Sequence, residues 1–337
     1  MKNFLTILWL PACAALLLVQ GCHTGSNTPH ATDDSVAVKQ SDSLFESQFS
    51  PSDLKTNWEK HSIPLDSVFD GGPGKNDIPA IDYPKFVSAA EAHKFLSAPD
   101  FGVFLDWNGE QKFYPLNILN WHEIVNDEIG GQPVVVTFCP LCGSGMVYSR
   151  VFGRDTLLFG VSGKLYESNL LMFDSKKESL WSQAMGECVV GDDLGTKLQL
   201  INSVLISYED VEQYFPNAKV LSTDTGFDRN YFQYPYSDYN SSEELYFPVG
   251  KISDRNKNKD EMFVVQIGDE SVAFHWLDLL KAGKATKQTK DGLVEVKVTN
   301  LVPEAINKNT GEKLNGYFSY WFSWYATYGE NGIVWGK

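Results

Sequence analysis

Gln132-Pro-Val-Val-Val-Thr-Phe138 runs straight into Cys139-Pro-Leu-Cys142-Gly-Ser-Gly145, and then into Met146-Val-Tyr-Ser149. The β-branched run reads as a buried strand. Proline and glycine around two cysteines three apart read as a tight knuckle that turns both sulfurs toward one centre. A thioredoxin-type site would begin a helix at the first cysteine. Here glycines and another strand follow, which argues against that fold. The expected class is α+β, mostly antiparallel β-strands with a few short helices.

Upstream, His122-Glu-Ile-Val-Asn126 reads as the partner strand, with Asp127-Glu-Ile-Gly-Gly131 as the turn of a hairpin. Downstream, residues 146–151 and 156–161 read as a second hairpin turning at Gly153-Arg154. Residues 169–173 and 179–183 flank a polar turn at 174–178, and Val294-Glu-Val-Lys-Val298 alternates cleanly. Ser88-Ala-Ala-Glu91 and Ser207-Tyr-Glu-Asp210 are capping-box starts of helices, and Pro115 opens a third through Trp121. Phe113-Tyr-Pro-Leu-Asn-Ile-Leu119 is echoed by Phe274-His-Trp-Leu-Asp-Leu-Leu280, which points to two related halves. The expected organisation is a main α+β region over 51–253 carrying the cysteine knuckle. A second, repeat-like half over 254–337 packs on it.

The chain opens Met1-Lys2-Asn3, then runs apolar from Phe4 to Val19, then reads Val19-Gln20-Gly21-Cys22. A charged start, an apolar stretch and a small residue before the cut are marks of an export signal. The tetrad ending in Cys22 resembles the lipobox of bacterial lipoproteins. Residues 1–21 are thus expected to be a signal peptide, Cys22 the site of lipid attachment, and 22–50 a polar, disordered tether. The expected location is the cell envelope, outside the cytoplasm, with the membrane as partner through the lipid.

Formal net charge is −15 and the pI about 4.8, which argues against a nucleic-acid partner. Once Cys13 leaves with the signal and Cys22 takes the lipid, Cys139, Cys142 and Cys188 remain. Three cysteines in an oxidising compartment cannot all pair within one chain.

Cys139 and Cys142 are the sharpest chemical signal. Their spacing serves half a zinc site, a thiol–disulfide exchange pair, a structural disulfide or two packed thiols. On a strand, His122 and Asn126 would share one face, and Glu123 and Asp127 the other. The functional reading makes His122 the third group beside the sulfurs. The bland one hydrogen-bonds His122 in the core and starts a turn at Asn126-Asp127. Met146 and Cys188 are further soft ligands, and such a set favours copper, with zinc as the other candidate. Ser162 with Lys164 has the composition of a nucleophile and its base, though Ser162-Gly163 is also simple turn chemistry. Asn169, Trp181 and Gln183 are candidates for a pocket lining.

Together these segments resemble a bacterial and archaeal family known as domain-of-unknown-function family 3179. The likeness rests on Gly71-Gly-Pro73, Ile78-Pro-Ala-Ile-Asp-Tyr-Pro84, Asn120-Trp-His-Glu-Ile-Val-Asn-Asp127 and Gly130-Gly-Gln-Pro-Val-Val-Val-Thr-Phe-Cys-Pro-Leu-Cys142. It continues through Phe159-Gly-Val-Ser-Gly163, Asn169, Leu180-Trp-Ser-Gln183 and Gly186-Glu187. It implies a similar fold and a shared site around Cys139 and Cys142, and names no activity. An apolar residue is more usual there at the position of Cys188.

The expected function is therefore a membrane-tethered protein with a metal-binding or thiol-redox site at Cys139, Cys142 and His122. Whether it is an enzyme is left open. The alternative is a ligand- or partner-binding lipoprotein with a structural disulfide. In it, Tyr236 and Tyr239 of the aromatic segment 227–247 would do the binding.

Overall fold

The valine run forms the strand Gln132–Cys139, whose last six residues are buried. It pairs antiparallel with Ile124–Ile129 on one side and Ser144–Ser149 on the other. The structure is a computed structural model describing residues 53–336. The expected signal peptide, the expected tether and Cys22 lie outside the described residues.

The fold is α+β and strand-rich, as the sequence predicts. One eight-stranded sheet carries the knuckle, which joins its strands Gln132–Cys139 and Ser144–Ser149 near one edge. From Ser144–Ser149 it continues through Gly316–Tyr320, Glu261–Ile267 and Glu270–His275 to Ile333–Trp335. A five-stranded sheet built on Phe159–Tyr166 and Asn169–Asp174 supplies a second wall of the site. Another five-stranded sheet contains Phe101–Trp107 and Glu110–Pro115. A four-stranded sheet is formed by residues 284–314. Both capping boxes are present, at Ser88 with Glu91 and at Ser207 with Asp210.

The echo is a recurrence of element order. Strands Phe101–Trp107 and Glu110–Pro115, helix Leu116–His122, and strands Ile124–Ile129 and Gln132–Cys139 form the first copy. The second is Glu261–Ile267, Glu270–His275, helix Trp276–Ala282, Lys284–Gln288 and Leu293–Thr299. In each, the helix carries the chain out of one sheet and into the next. The helix ends align Leu119 with Leu279 and Glu123 with Gly283, so the sequence match of Leu119 to Leu280 is one residue out of register. The two copies are not separate layers. The second hairpin of the first and the first hairpin of the second lie in the same eight-stranded sheet.

Two sequence readings need correction. His122 is not on a strand. It is the last residue of the helix opened at Pro115, and the strand starts at Ile124. Residues 146–151 and 156–161 pair only next to the turn: Val151–Phe152 and Asp155–Thr156 form a short ladder around Gly153-Arg154, Leu157 N donates to the Arg150 carbonyl, and the flanking strands then diverge into different sheets. The reason is that both flanking strands are buried on two faces and each needs its own layer.

Candidate functional site

The strand Gln132–Cys139 ends on the first cysteine, and Pro140–Cys142 makes one 3-10 turn. Proline suits its first position because its φ is preset and no N–H is needed there. Gly143 then reverses the chain at φ 54°, and a Cβ on it would lie 2.6 Å from the Tyr320 ring. The next strand returns so that Ser144 lies opposite Cys139. Both thiols are buried and unbridged, and the Cys142 thiol donates to the Ser168 carbonyl. The disulfide of the structural alternative is therefore not what this structure contains.

The two sulfurs differ in their surroundings. Burial raises the Cys139 thiol well above its ordinary value, and the neighbouring Cys142 and the charge of Glu123 push the same way. Burial would also raise Cys142, but hydrogen bonds from Cys139, Ser323 and Asn169 together outweigh it and hold that thiol low. The Ser168 carbonyl, 3.2 Å from Cys142 Sγ, favours the protonated form. Three donors against one acceptor decide the direction. Cys142 is thus the better nucleophile and Cys139 the better proton carrier.

Glu123 is the carboxyl beside Cys139. It caps the helix Leu116–His122 in the left-handed region at φ 57°, where the second copy has Gly283 at φ 67°. A side chain there costs on the order of 1–3 kcal/mol relative to glycine and persists only where the surroundings enforce it. The strained backbone turns the carboxyl inward, and its carbonyl accepts from Phe138 N at 2.8 Å. Burial pushes Glu123 up to about 7, against a hydrogen bond from Tyr236 that lowers it. The turn that brings Ser168 to Cys142 is strained in the same way. Glu167 and Ser168 stand at φ 52° and 60° in a two-residue hairpin loop where asparagine and glycine are usual.

The aromatic segment closes over the knuckle. Tyr236 donates to Glu123 Oε1 at 2.8 Å, and Tyr239 donates to the Leu141 carbonyl at 2.8 Å. The Lys259 ammonium sits over the Tyr239 ring, 3.3 Å from its centroid. The residues on which the binding alternative rested therefore cover the cysteines of the thiol reading. Beneath Cys142 lies a buried amide network. Gln183 Oε1 accepts from Ser144 Oγ at 2.7 Å and Asn169 Nδ2 at 2.8 Å, while Gln183 Nε2 donates to Thr137 Oγ1 and the Ser144 carbonyl, each at 3.0 Å.

Other candidates are held elsewhere. His122 is not the third group at the sulfurs. Its Nδ1 faces the Pro79 carbonyl at 2.7 Å and must donate, so Nε2 accepts from the Tyr231 hydroxyl at 2.7 Å. Burial, with Arg229 nearby, lowers its pKa to about 4 despite the Pro79 bond. Asn126 clamps Asp82 and the backbone of Phe159, and Asp127 pairs with Lys112 and Tyr114. Met146 is buried, with the Tyr148 hydroxyl 3.7 Å from its sulfur. Cys188 faces the Val190 carbonyl, and burial with Asp193 and Asp174 pushes it up to about 12. Ser162 bonds the Leu171 carbonyl and Lys164 N within a bulge, while Lys164 Nζ pairs with Asp70, so the pair is not a nucleophile with its base. Trp181 packs against Phe159 and bonds Asp174. Among the described residues, no group of three or more His, Cys, Asp and Glu is placed to hold a metal ion.

The sequence pointed to the cysteines but ranked Glu123 below His122. The signal it offered was the glycine at the matching helix end of the second copy.

A family model described as a protein of unknown function, DUF3179, matches residues 75–307. No curated protein and no solved structure matches the chain.

Proposed function

We propose that this chain, which belongs to the DUF3179 family, is a lipid-anchored protein of the cell envelope whose Cys139 and Cys142 exchange disulfides with a substrate outside the cytoplasm. The lipid anchor is supported by the charged start, the apolar run and Gly21-Cys22. The exchange is supported chiefly by one arrangement: two free, buried thiols at the two ends of one tight turn, with the buried Glu123 held next to that strand end through its carbonyl bond to Phe138.

The chemistry balances with a disulfide as oxidant. Cys142 gives up its proton to solvent and, as thiolate, attacks one sulfur of the substrate disulfide, and the other leaves as a thiolate that takes a proton from solvent. A mixed disulfide results. Cys139 then gives its proton to the Glu123 carboxylate and attacks Cys142 Sγ. The second substrate sulfur leaves and takes that proton from Glu123. Two electrons pass to the substrate, which becomes two thiols, and Cys139 and Cys142 become a disulfide. Run backward, the same steps oxidise a dithiol. Both thiols are buried, so part of the cover over the knuckle must move for a substrate sulfur to approach.

Copper or zinc on the same sulfurs is the competing reading. It would have two thiolates and Glu123, without the imidazole that the sequence suggested. The test is a thiol count on the full chain equilibrated in mixtures of reduced and oxidised dithiothreitol. Cys139 and Cys142 are expected to titrate together as a two-electron couple, with Cys188 unchanged. A pair that stays reduced until the protein unfolds would overturn the proposal. Stoichiometric metal on the purified protein, lost with Cys139→Ser, would put the metal reading in its place.

A further inference from the structure

Two clefts of about 430 and 240 Å³ adjoin along one side of the helix Leu116–His122, sharing Asp100, Asn117, Asn120 and Tyr234. The larger opens outward beside Phe95, Leu96 and Phe232. The smaller ends on Phe138, Pro140 and Tyr320. Those three flank the cysteine knuckle: Phe138 precedes Cys139, Pro140 lies within the turn, and Tyr320 covers Gly143. The clefts thus form one trough running from the surface to the outer side of the knuckle, where Phe138, Pro140 and Tyr320 stand between it and the buried thiols.

Its floor is built to meet an amide. Asn117 and Asn120 are one helical turn apart and share a face. Asn117 Oδ1 is buried and makes no hydrogen bond among the described residues. Such an oxygen carries a desolvation penalty until a donor reaches it. A carboxamide offers both an acceptor and a donor, which matches the N–H and C=O of a peptide group. At the outer end, Phe232 is 79% exposed, an apolar anchor with nothing over it. A small disulfide would fill only the inner cleft and would leave Phe232 and the larger cleft without a role.

We propose that the trough takes an extended stretch of polypeptide, whose backbone is held by Asn117 and Asn120 and which delivers a disulfide sulfur to Cys142. This deepens the thiol-exchange reading and rests on it. It makes the substrate class a protein or peptide disulfide rather than a small metabolite. The covalent steps are those already given, with the peptide sulfur as the one retained in the mixed disulfide.

The test uses the reduced full chain and two probes with one leaving group, thionitrobenzoate. One is its mixed disulfide with a ten-residue glycine- and serine-rich peptide carrying a single cysteine. The other is its mixed disulfide with mercaptoethanol. Release of the coloured thiol gives the rates. The expected result is a second-order rate constant for release of the coloured thiol at least tenfold higher for the peptide probe, with the ratio falling toward one in Asn117→Ala. Phe232→Ala, whose side chain lies outside the core, is expected to lower the rate constant for the peptide probe. Equal rates on both probes would overturn the peptide trough and leave thiol exchange standing. No reaction with either would overturn thiol exchange. The trough would then be judged by fluorescence anisotropy of the same peptide with serine for cysteine. Binding weakened by Phe232→Ala upholds it, and no binding overturns it.

Discussion

The Tyr236 hydroxyl donates to Glu123 Oε1 across 2.8 Å, joining the aromatic cover to a buried carboxyl whose charge is felt by both thiols. The bond favours the ionised carboxylate, and burial favours the protonated acid. Lifting the cover would therefore remove the bond and change the proton affinity of the group next to Cys139. Tyr236→Phe keeps the ring and deletes the donor. Glu123 should then titrate above its value of about 7, and the pH profile of thiol oxidation should move alkaline by up to about one unit. An unshifted profile would show that Glu123 takes no part in the proton transfer.

Glu123→Gln addresses the same group through stability. The folded pKa of about 7 lies above the ordinary 4.5, so folding favours the protonated form. Its contribution is complete below pH 4.5 and is lost as pH rises through about 7. At pH 8 the wild type should be less stable than the glutamine variant, by roughly 3 kcal/mol if the burial is fully felt. At pH 4 the two should nearly coincide. Urea midpoints at both values check it. His122 runs the opposite way, its folded pKa lowered from 6.5 to about 4, so its contribution is lost as pH falls through that window. Because both proteins retain His122, their difference isolates Glu123.

The fold class was legible because the valine run, the two capping boxes and the knuckle are local signals. The centre of the site was legible for the same reason. The third group was not legible, because a strand over His122-Glu123 would put the two side chains on opposite faces. The helix from Pro115 instead runs to His122, and a left-handed residue follows. That one conformational break swings Glu123 toward the sulfurs and His122 toward Tyr231. Non-glycine residues in that region are uncommon, so propensity alone gives no warning of it. The cover over the knuckle was also invisible. Residues 227–247 are largely irregular, and no periodic pattern says which surface they reach.

Alkylation should separate the three cysteines. Cys142 is held low by its three donors, Cys139 is held high, and Cys188 is pushed up to about 12. The thiolate is the reacting form. Iodoacetamide at pH 7.5, with the modified peptides mapped by mass spectrometry, should label Cys142 first. Cys139 should follow more slowly, and Cys188 should react only after unfolding. Equal labelling of all three would mean that the hydrogen bonds to Cys142 do not govern its reactivity.

The amide network predicts a coupled loss that ordinary core damage would not produce. Gln183→Leu leaves Asn169 Nδ2 and Ser144 Oγ without their shared acceptor, and buried orphans cost roughly 1–3 kcal/mol each. It also unpins Asn169, one of the donors that hold Cys142 low. The variant should therefore lose stability in urea and show a higher Cys142 pKa, read from the thiolate absorbance at 240 nm against a Cys142→Ser blank (~240 nm being the usual thiolate band). Trp181→Phe is the control. It opens a core space beside Phe159 and removes the bond to Asp174, but does not touch the network. It should cost stability and leave the Cys142 titration where it was. If Gln183→Leu lowers stability without moving that titration, the buried amides serve packing alone and the asymmetry of the two thiols has another origin.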